Sequence, residues 1–310
     1  KKPPWYLFNG HWETVIPSAF YKIEGVTYDR ERLELPDGDF IDLDWVTGDP
    51  SQLVIISHGL EGNSERHYVK RAAKFFAAKG WSVLAWNCRS CSGHMNRLPR
   101  FYHHGDTPDL ISVIEHAIDR GFERIALLGV SMGGSMTLKY LGEAPGRHEQ
   151  VYGAVTFSVP CNLKDSAEQL LVKGNRFYEK RFLNKLKKKI LLKSETHGDL
   201  DVVGLEEIDD FESFHRRYTV PLHGFSDLED FYEKATCDQY LPYVSVPTLI
   251  ANAWNDPLLG EKCYPKHLAA DSPAVFLEIP NRGGHVGFTV SGDAYSWMEY
   301  RAWEFFSEIG

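Results

Sequence analysis

Residues 124–134 read Arg-Ile-Ala-Leu-Leu-Gly-Val-Ser-Met-Gly-Gly, an apolar run ending in G-x-S-x-G with Ser131 at its centre. Residues 125–128 and Val130 fit a strand buried on both faces, and residues 135–141 fit a helix packed against a sheet. A strand that turns straight into a helix is sharp and strained, and it holds the central hydroxyl clear of the sheet. Glycines beside the serine suit such a turn, because the neighbouring backbone leaves no room for Cβ atoms. The alternative is a tight turn with no chemistry. What lies around the motif decides between them.

Strand and helix patterns alternate from residue 52 onward, which predicts an α/β fold with a mostly parallel sheet and helices on both faces. The expected strands are 53–57, 82–86, 125–130, 151–157, 246–254 and 274–279. The expected helices are 64–79, 107–120, 131–142, 261–270 and 294–308, with Thr107 as a cap and Pro108 in the first turn. Upstream, 25–35 and 40–46 alternate around Pro36-Asp-Gly-Asp39 and predict a hairpin leading into the sheet. One stretch breaks this rhythm. Residues from about 160 to 240 are too long for a simple connection and predict a helical cap insertion over the active edge. The chain is thus read as one domain, 1–310, with an N-terminal extension and hairpin at 1–50.

With 310 residues, 43% of them hydrophobic, the chain can bury a large core without disulfides. A net charge of −9 argues against nucleic acid as a partner, since phosphate binding needs a basic face. No apolar run reaches the length of a membrane span, and no signal-peptide pattern opens the sequence at Lys1. Five cysteines in a large domain read as reduced thiols, so a cytoplasmic location is expected. Cys88-Arg-Ser-Cys91 has C-x-x-C spacing but no second pair to complete a zinc site. Residues 173–193 carry nine Lys or Arg around an apolar stripe of Phe182, Leu186 and Ile190, followed by an acidic segment at 195–212. Such a helix is read as a solvated cap face partly neutralised by its acidic neighbour. Membrane-surface contact is the alternative.

A nucleophilic serine needs a base to take its proton and an acid to orient that base. On sheets of this kind the three follow in the order Ser, Asp/Glu, His, at the ends of successive strands. The strand ending at Trp254 is followed by Asn255-Asp256-Pro257, and the one ending at Pro280 by Asn-Arg-Gly-Gly-His285. Ser131, Asp256 and His285 are therefore the expected triad, with Glu278 and Asp271 as fallback acids. The expected oxyanion donors are the N–H groups of Met132 and of Leu60, in the loop Ser-His-Gly-Leu-Glu-Gly-Asn after the first buried strand. His58 in that loop is expected to brace it rather than react. His103-His104-Gly105-Asp106 hints at a metal site that no distant pattern supports. His104 and Asp109 fit the H-x-x-x-x-D spacing of some acyltransferases. Cys161, Trp254 and Leu258 are the expected acyl-pocket residues.

Seven blocks then form a recognisable set: N-G-H-W-E-T-V-I-P at 9–17, H-G-L-E-G-N-S at 58–64, N-C-R-S-C-S-G at 87–93, Y-H-H-G-D-T-P-D-L at 102–110, G-V-S-M-G-G at 129–134, P-L-H-G-F-S-D-L-E-D-F-Y at 221–232 and G-G-H-V-G-F at 283–288. The chain resembles the YheT-like branch of the α/β-hydrolases, which includes yeast medium-chain ethyl ester synthase/esterases. That resemblance implies the α/β-hydrolase fold, a triad of Ser131, Asp256 and His285, and a small-molecule carboxylic ester with a short or medium acyl chain as substrate. No metal or organic cofactor is expected. Transfer of the acyl group to an alcohol, or ligand binding without turnover, remains open at this point. Ser90 stands where the family commonly has glycine, and its side chain is expected to narrow a neighbouring pocket.

Overall fold

A computed structural model of the chain describes residues 2–143 and 148–310. The sheet is built from β1 (Asp29–Glu34), β2 (Phe40–Val46), β3 (Asp49–Ser57), β4 (Trp81–Asn87), β5 (Ile125–Val130), β6 (Val151–Phe157), β7 (Thr248–Ala251) and β8 (Val275–Glu278). These eight described strands lie in the order β1-β2-β4-β3-β5-β6-β7-β8. Pairings of β1 with β2 and of β2 with β4 are antiparallel, and all the others are parallel. The helices are α1 (Gly10–Phe20), α2 (His67–Ala78), α3 (Thr107–Asp119), α4 (Met132–Glu143), α5 (Leu163–Leu171), α6 (Arg176–Ser194), α7 (Phe211–Phe214), α8 (Val220–His223), α9 (Leu228–Ala235), α10 (Lys266–Asp271) and α11 (Trp297–Ile309).

Alternation along the central strands sorts their side chains onto two cores. Leu53, Ile55 and Leu127 meet α3 and α4 through Val113, Ile114 and Met136. Val54, Ile56 and Leu128 meet α2 and α11 through Ala73, Phe76, Ala302 and Phe306. Every residue of β5 is buried, as expected of a central parallel strand covered on both sides. This is the α/β-hydrolase architecture.

Differences from the sequence reading are local. The expected strand 246–254 is regular only over β7; beyond it the Asn252 and Trp254 N–H groups still donate to Glu278 O and Pro280 O as the chain turns towards the site. Pro265 divides the expected helix 261–270 into a short 3-10 turn, Glu261–Cys263, and α10. Asp106, not Thr107, holds the cap position of α3; Thr107 is the first helical residue and donates its hydroxyl to Glu143, 2.7 Å away. The helix expected from 294 begins at Trp297, after a Ser296–Glu299 capping box. No helix was expected at α1. It is short, carries Pro17, and starts on Asn9, whose side chain accepts the Trp12 N–H.

Helices α5 to α9 are inserted between β6 and β7. The stripe of Phe182, Leu186 and Ile190 on α6 does face the core. Three of its lysines turn inward as well: Lys187 donates to the Glu206 carbonyl, Lys189 pairs with Glu61 at 2.6 Å, and Lys193 caps carbonyls of Asn96 and Leu98. Lys187 and Lys193 are thus met mainly by carbonyl oxygens and Lys189 by Glu61, and none of the three is paired with a described carboxylate of the acidic segment. No described helix is long and apolar enough to cross a membrane.

Arg71 of α2 and Glu299 of α11, both nearly inaccessible, form a 3.0 Å ion pair that ties the two helices of one face together. Replacing Glu299 with alanine strands a buried guanidinium, and is expected to cost about 3–5 kcal/mol. Urea unfolding of both proteins measures this; an unchanged midpoint would show that the pair contributes nothing.

Candidate active site

The β5–α4 turn places Ser131 at φ +55°, in left-handed space that non-glycine residues rarely occupy. Close packing keeps it there. A Cβ on Gly129 would lie 2.7 Å from Gly133 O and from Thr137 Oγ1, and one on Gly133 would lie 2.7 Å from His58 O. Ser131 N–H donates to Phe157 O at 2.8 Å, joining the turn to β6.

Asp256 and His285 approach from the loops after β7 and β8. His285 Nε2 lies 3.0 Å from Ser131 Oγ, and its Nδ1 lies 2.8 Å from Asp256 Oδ2. The other oxygen of Asp256 accepts the Leu258 N–H at 2.9 Å, which fixes the carboxylate plane. Asp256 is 4% exposed and so is shielded from competing water. Glu278, a fallback acid, pairs with Arg301 instead. The histidine loop is itself strained, with Val286 at φ +67° and Phe288 at φ +44°. Three side chains hold it by successive N–H groups: Asn255 accepts from Gly284, Thr14 from His285 and Ser158 from Val286.

Thr14 belongs to α1, whose place in the site had no signal in residue spacing. Glu13 beside it accepts from Gly283 N–H and from the Asn255 side chain. Gly10 and Gly284 pack so closely that a Cβ on Gly284 would stand 2.7 Å from Gly10 O. Only the motif block at 9–17 pointed to this segment.

Leu60 N–H finds no partner among the described residues, and Met132 is the first residue of α4, where helix N–H groups are unused by the helix itself. The loop carrying Leu60 is pinned on both sides. Gly59 N–H donates to the Tyr68 hydroxyl and Glu61 N–H to the Tyr102 hydroxyl. His58 Nε2 accepts the Cys88 N–H, so Nδ1 carries the proton and donates to Gly59 O at 2.8 Å. Burial holds its pKa down at about 4, which keeps it neutral.

The Hydrolase_4 family model, described as serine aminopeptidase, S33, matches residues 48–263. The protein named "Putative esterase YheT" of Escherichia coli (strain K12) is 31% identical over 90% of this chain and 84% of its own. The chain belongs to the YheT-like branch of the α/β-hydrolases. Other relatives of this YheT-like chain include the mouse phospholipase ABHD3, 28% identical over 92% of this chain and 72% of its own. Among solved structures, the Pyrococcus furiosus esterase Pf2001 aligns at a TM-score of 0.62 and 17% identity, covering 94% of this chain and 97% of that one. An Exiguobacterium antarcticum esterase aligns at 0.56 and 16% identity, covering 90% and 98%. Those two likenesses concern the fold.

Two cavities of this YheT-like site meet at Ser131 and His285. One, open to solvent, runs past Thr14, Arg66, Tyr178, Arg181 and Lys185. The other, mostly apolar and without Lys or Arg, has Leu163, Ala167, Leu170 and Phe211 in its wall. Leu258 lines both. Cys161 and Trp254 line neither: Cys161 is fully buried, and Trp254 lies exposed with its ring tilted against Tyr264. Ser90 also stays out of both; at φ +60°, where glycine is favoured, it donates to Asn96 Oδ1.

The remaining candidates have structural partners. Asp109 forms a two-point ion pair with Arg89 at 2.7–2.8 Å, so the H-x-x-x-x-D spacing is not a working pair. The fold brings His223, distant in sequence, to His103 and Asp106, with ligand-type atoms within 4.8 Å of one another. That donor set suits a cation poorly. Arg100 already lies 3.5 Å from Asp106, and His103 Nδ1 accepts the Gly105 N–H, leaving the proton on the nitrogen a metal would need.

Burial lowers the pKa of His58 and His104 to about 4, of His215 and His223 to about 3, and of His103 well below normal. In the unfolded chain these rings titrate near 6.5, so below that pH the unfolded state binds more protons and stability falls, by about 1.4 kcal/mol per unit per ring. Asp106 and Glu179 oppose this: burial raises both carboxyls, Asp106 to about 7, which adds stability as pH drops. The thermal midpoint should therefore drop by roughly 10 °C or more from pH 7.5 to pH 5. Equal midpoints would mean that the rings are charged in the folded protein.

Proposed function

We propose that the chain is a serine hydrolase that cleaves carboxylic esters through an acyl-enzyme on Ser131. The observation that carries this reading is the continuous relay from Ser131 Oγ through His285 to the buried Asp256, at 3.0 and 2.8 Å. His285 Nε2 takes the hydroxyl proton as Ser131 Oγ attacks the ester carbonyl, then returns it to the leaving alcohol. Asp256 keeps Nδ1 protonated, so that Nε2 presents a lone pair to the serine. The N–H groups of Leu60 and Met132 receive the charge that develops on the carbonyl oxygen. Water then attacks the acyl-enzyme with His285 as base, releasing the acid. The esterase reading carried by the name of the YheT relative supports this chemistry.

The apolar cavity under α5 suits a short or medium acyl chain, with the inserted helices at about 160–240 as a cap on a single 1–310 domain. Five cysteines, all free and buried, suit a reducing cytoplasm.

Hydrolysis of p-nitrophenyl esters from acetate to laurate is expected to peak at a middle chain length. Ser131→Ala should lower turnover about 10⁴-fold or more. Retention of activity by that variant would reject the assignment. Ala167→Trp, which fills the apolar cavity, should move the peak to shorter chains; an unmoved peak would place the acyl group elsewhere.

A further inference from the structure

The open cavity in front of Ser131 is lined by three cations that lack acidic partners. Arg66 donates to Ser18 Oγ at 2.9 Å, and Lys185 donates to the Glu61 carbonyl at 3.1 Å. Neither they nor Arg181 meets a carboxylate within ion-pair distance among the described residues. Glu61 lines the same cavity, but its carboxylate is occupied by Lys189 at 2.6 Å and by the Tyr102 hydroxyl. Glu65 is paired with Lys70. Asp256 stands behind His285. The three cations also crowd one another. Partial desolvation lowers the Lys185 pKa, Arg66 and Arg181 lower it further, and Glu61 offsets part of this by raising it.

An acidic chain of net charge −9 thus leaves uncompensated positive charge at the mouth of its reactive serine. The apolar cavity on the other side of Ser131 has no Lys or Arg in its wall. An ester whose carbonyl sits at Ser131 must send one half into each cavity. The greasy acyl chain suits the apolar one, which leaves the alcohol half among the cations.

We infer that the natural ester carries an anionic group, phosphate or carboxylate, on its alcohol half, held by Arg66, Arg181 and Lys185. This rests on the serine-hydrolase reading above. Arginine supplies a planar fork matched to either oxyanion, and lysine adds a point charge. The group binds but takes no part in bond breaking. Arg181 and Lys185 lie one turn apart on an exposed part of α6, so removing them leaves the core intact.

Two matched pairs of octanoyl esters test the inference. The first is 4-nitro-3-(octanoyloxy)benzoic acid against its methyl ester, which share a chromophore and differ in the carboxylate. The second is 1-octanoylglycerol 3-phosphate against 1-octanoylglycerol, followed by octanoate release. The wild type should favour the charged member of at least one pair by about tenfold or more in kcat/KM. Preference in the second pair alone assigns phosphate; preference in both assigns charge in general. In Arg181→Ala/Lys185→Ala the ratio should collapse towards one. It should also shrink between 0.1 M and 1 M salt, as the screening length falls from about 10 Å to about 3 Å. A wild-type ratio near one in both pairs, or a ratio that survives the double substitution, overturns the inference. Ser131→Ala separates the two readings: if it keeps turnover of the uncharged esters, the serine-hydrolase reading fails and takes this one with it.

Discussion

Ser131 sits in a backbone conformation that costs a non-glycine residue of order 1 kcal/mol or more, and the whole site follows from how that cost is met. Gly133 lies against β3 with no space for a side chain, and the Ser131 N–H is tied to β6. The serine is therefore held between two central strands whose own positions are set by full burial. His285 can approach a hydroxyl this well located from a loop that is strained in turn. That loop is restrained by Thr14, Asn255 and Ser158, which come from three separate parts of the chain.

Much of the fold was legible because it is written at short range. Strands β3, β5 and β6 are apolar runs of the length a covered parallel strand needs, and Pro36-Asp-Gly-Asp39 does turn the hairpin, with Glu34 opposite Phe40. The positions of Ser131, Asp256 and His285 followed from strand ends, since a parallel sheet gathers those ends on one edge. What spacing could not give was tertiary. Helix α1 gains its place by packing against the histidine loop, and nothing in the spacing of its residues announces that. Cys161 and Trp254 were near the site in sequence but turn into the core and out to solvent. His223 reaches His103 only because the inserted helices fold back over the sheet edge.

The basic helix α6 shows why counting charges along a sequence misleads. Its inward lysines serve as long donors to carbonyls and to Glu61, so they organise the loops around residues 61 and 96–98. Lys189 in particular holds down a carboxylate that would otherwise oppose the cations of the open cavity. The same helix thus builds the wall of the site with one set of lysines and colours its electric field with another.

The clasp between α1 and the loop around residue 284 joins segments 270 residues apart. Closing so long a loop is entropically costly, and contacts of that separation form slowly. Strands β3, β4, β5 and β6 pair with partners much nearer in sequence. The sheet is therefore expected to assemble first, and the strained loop that carries His285 to take its course only when α1 closes on it.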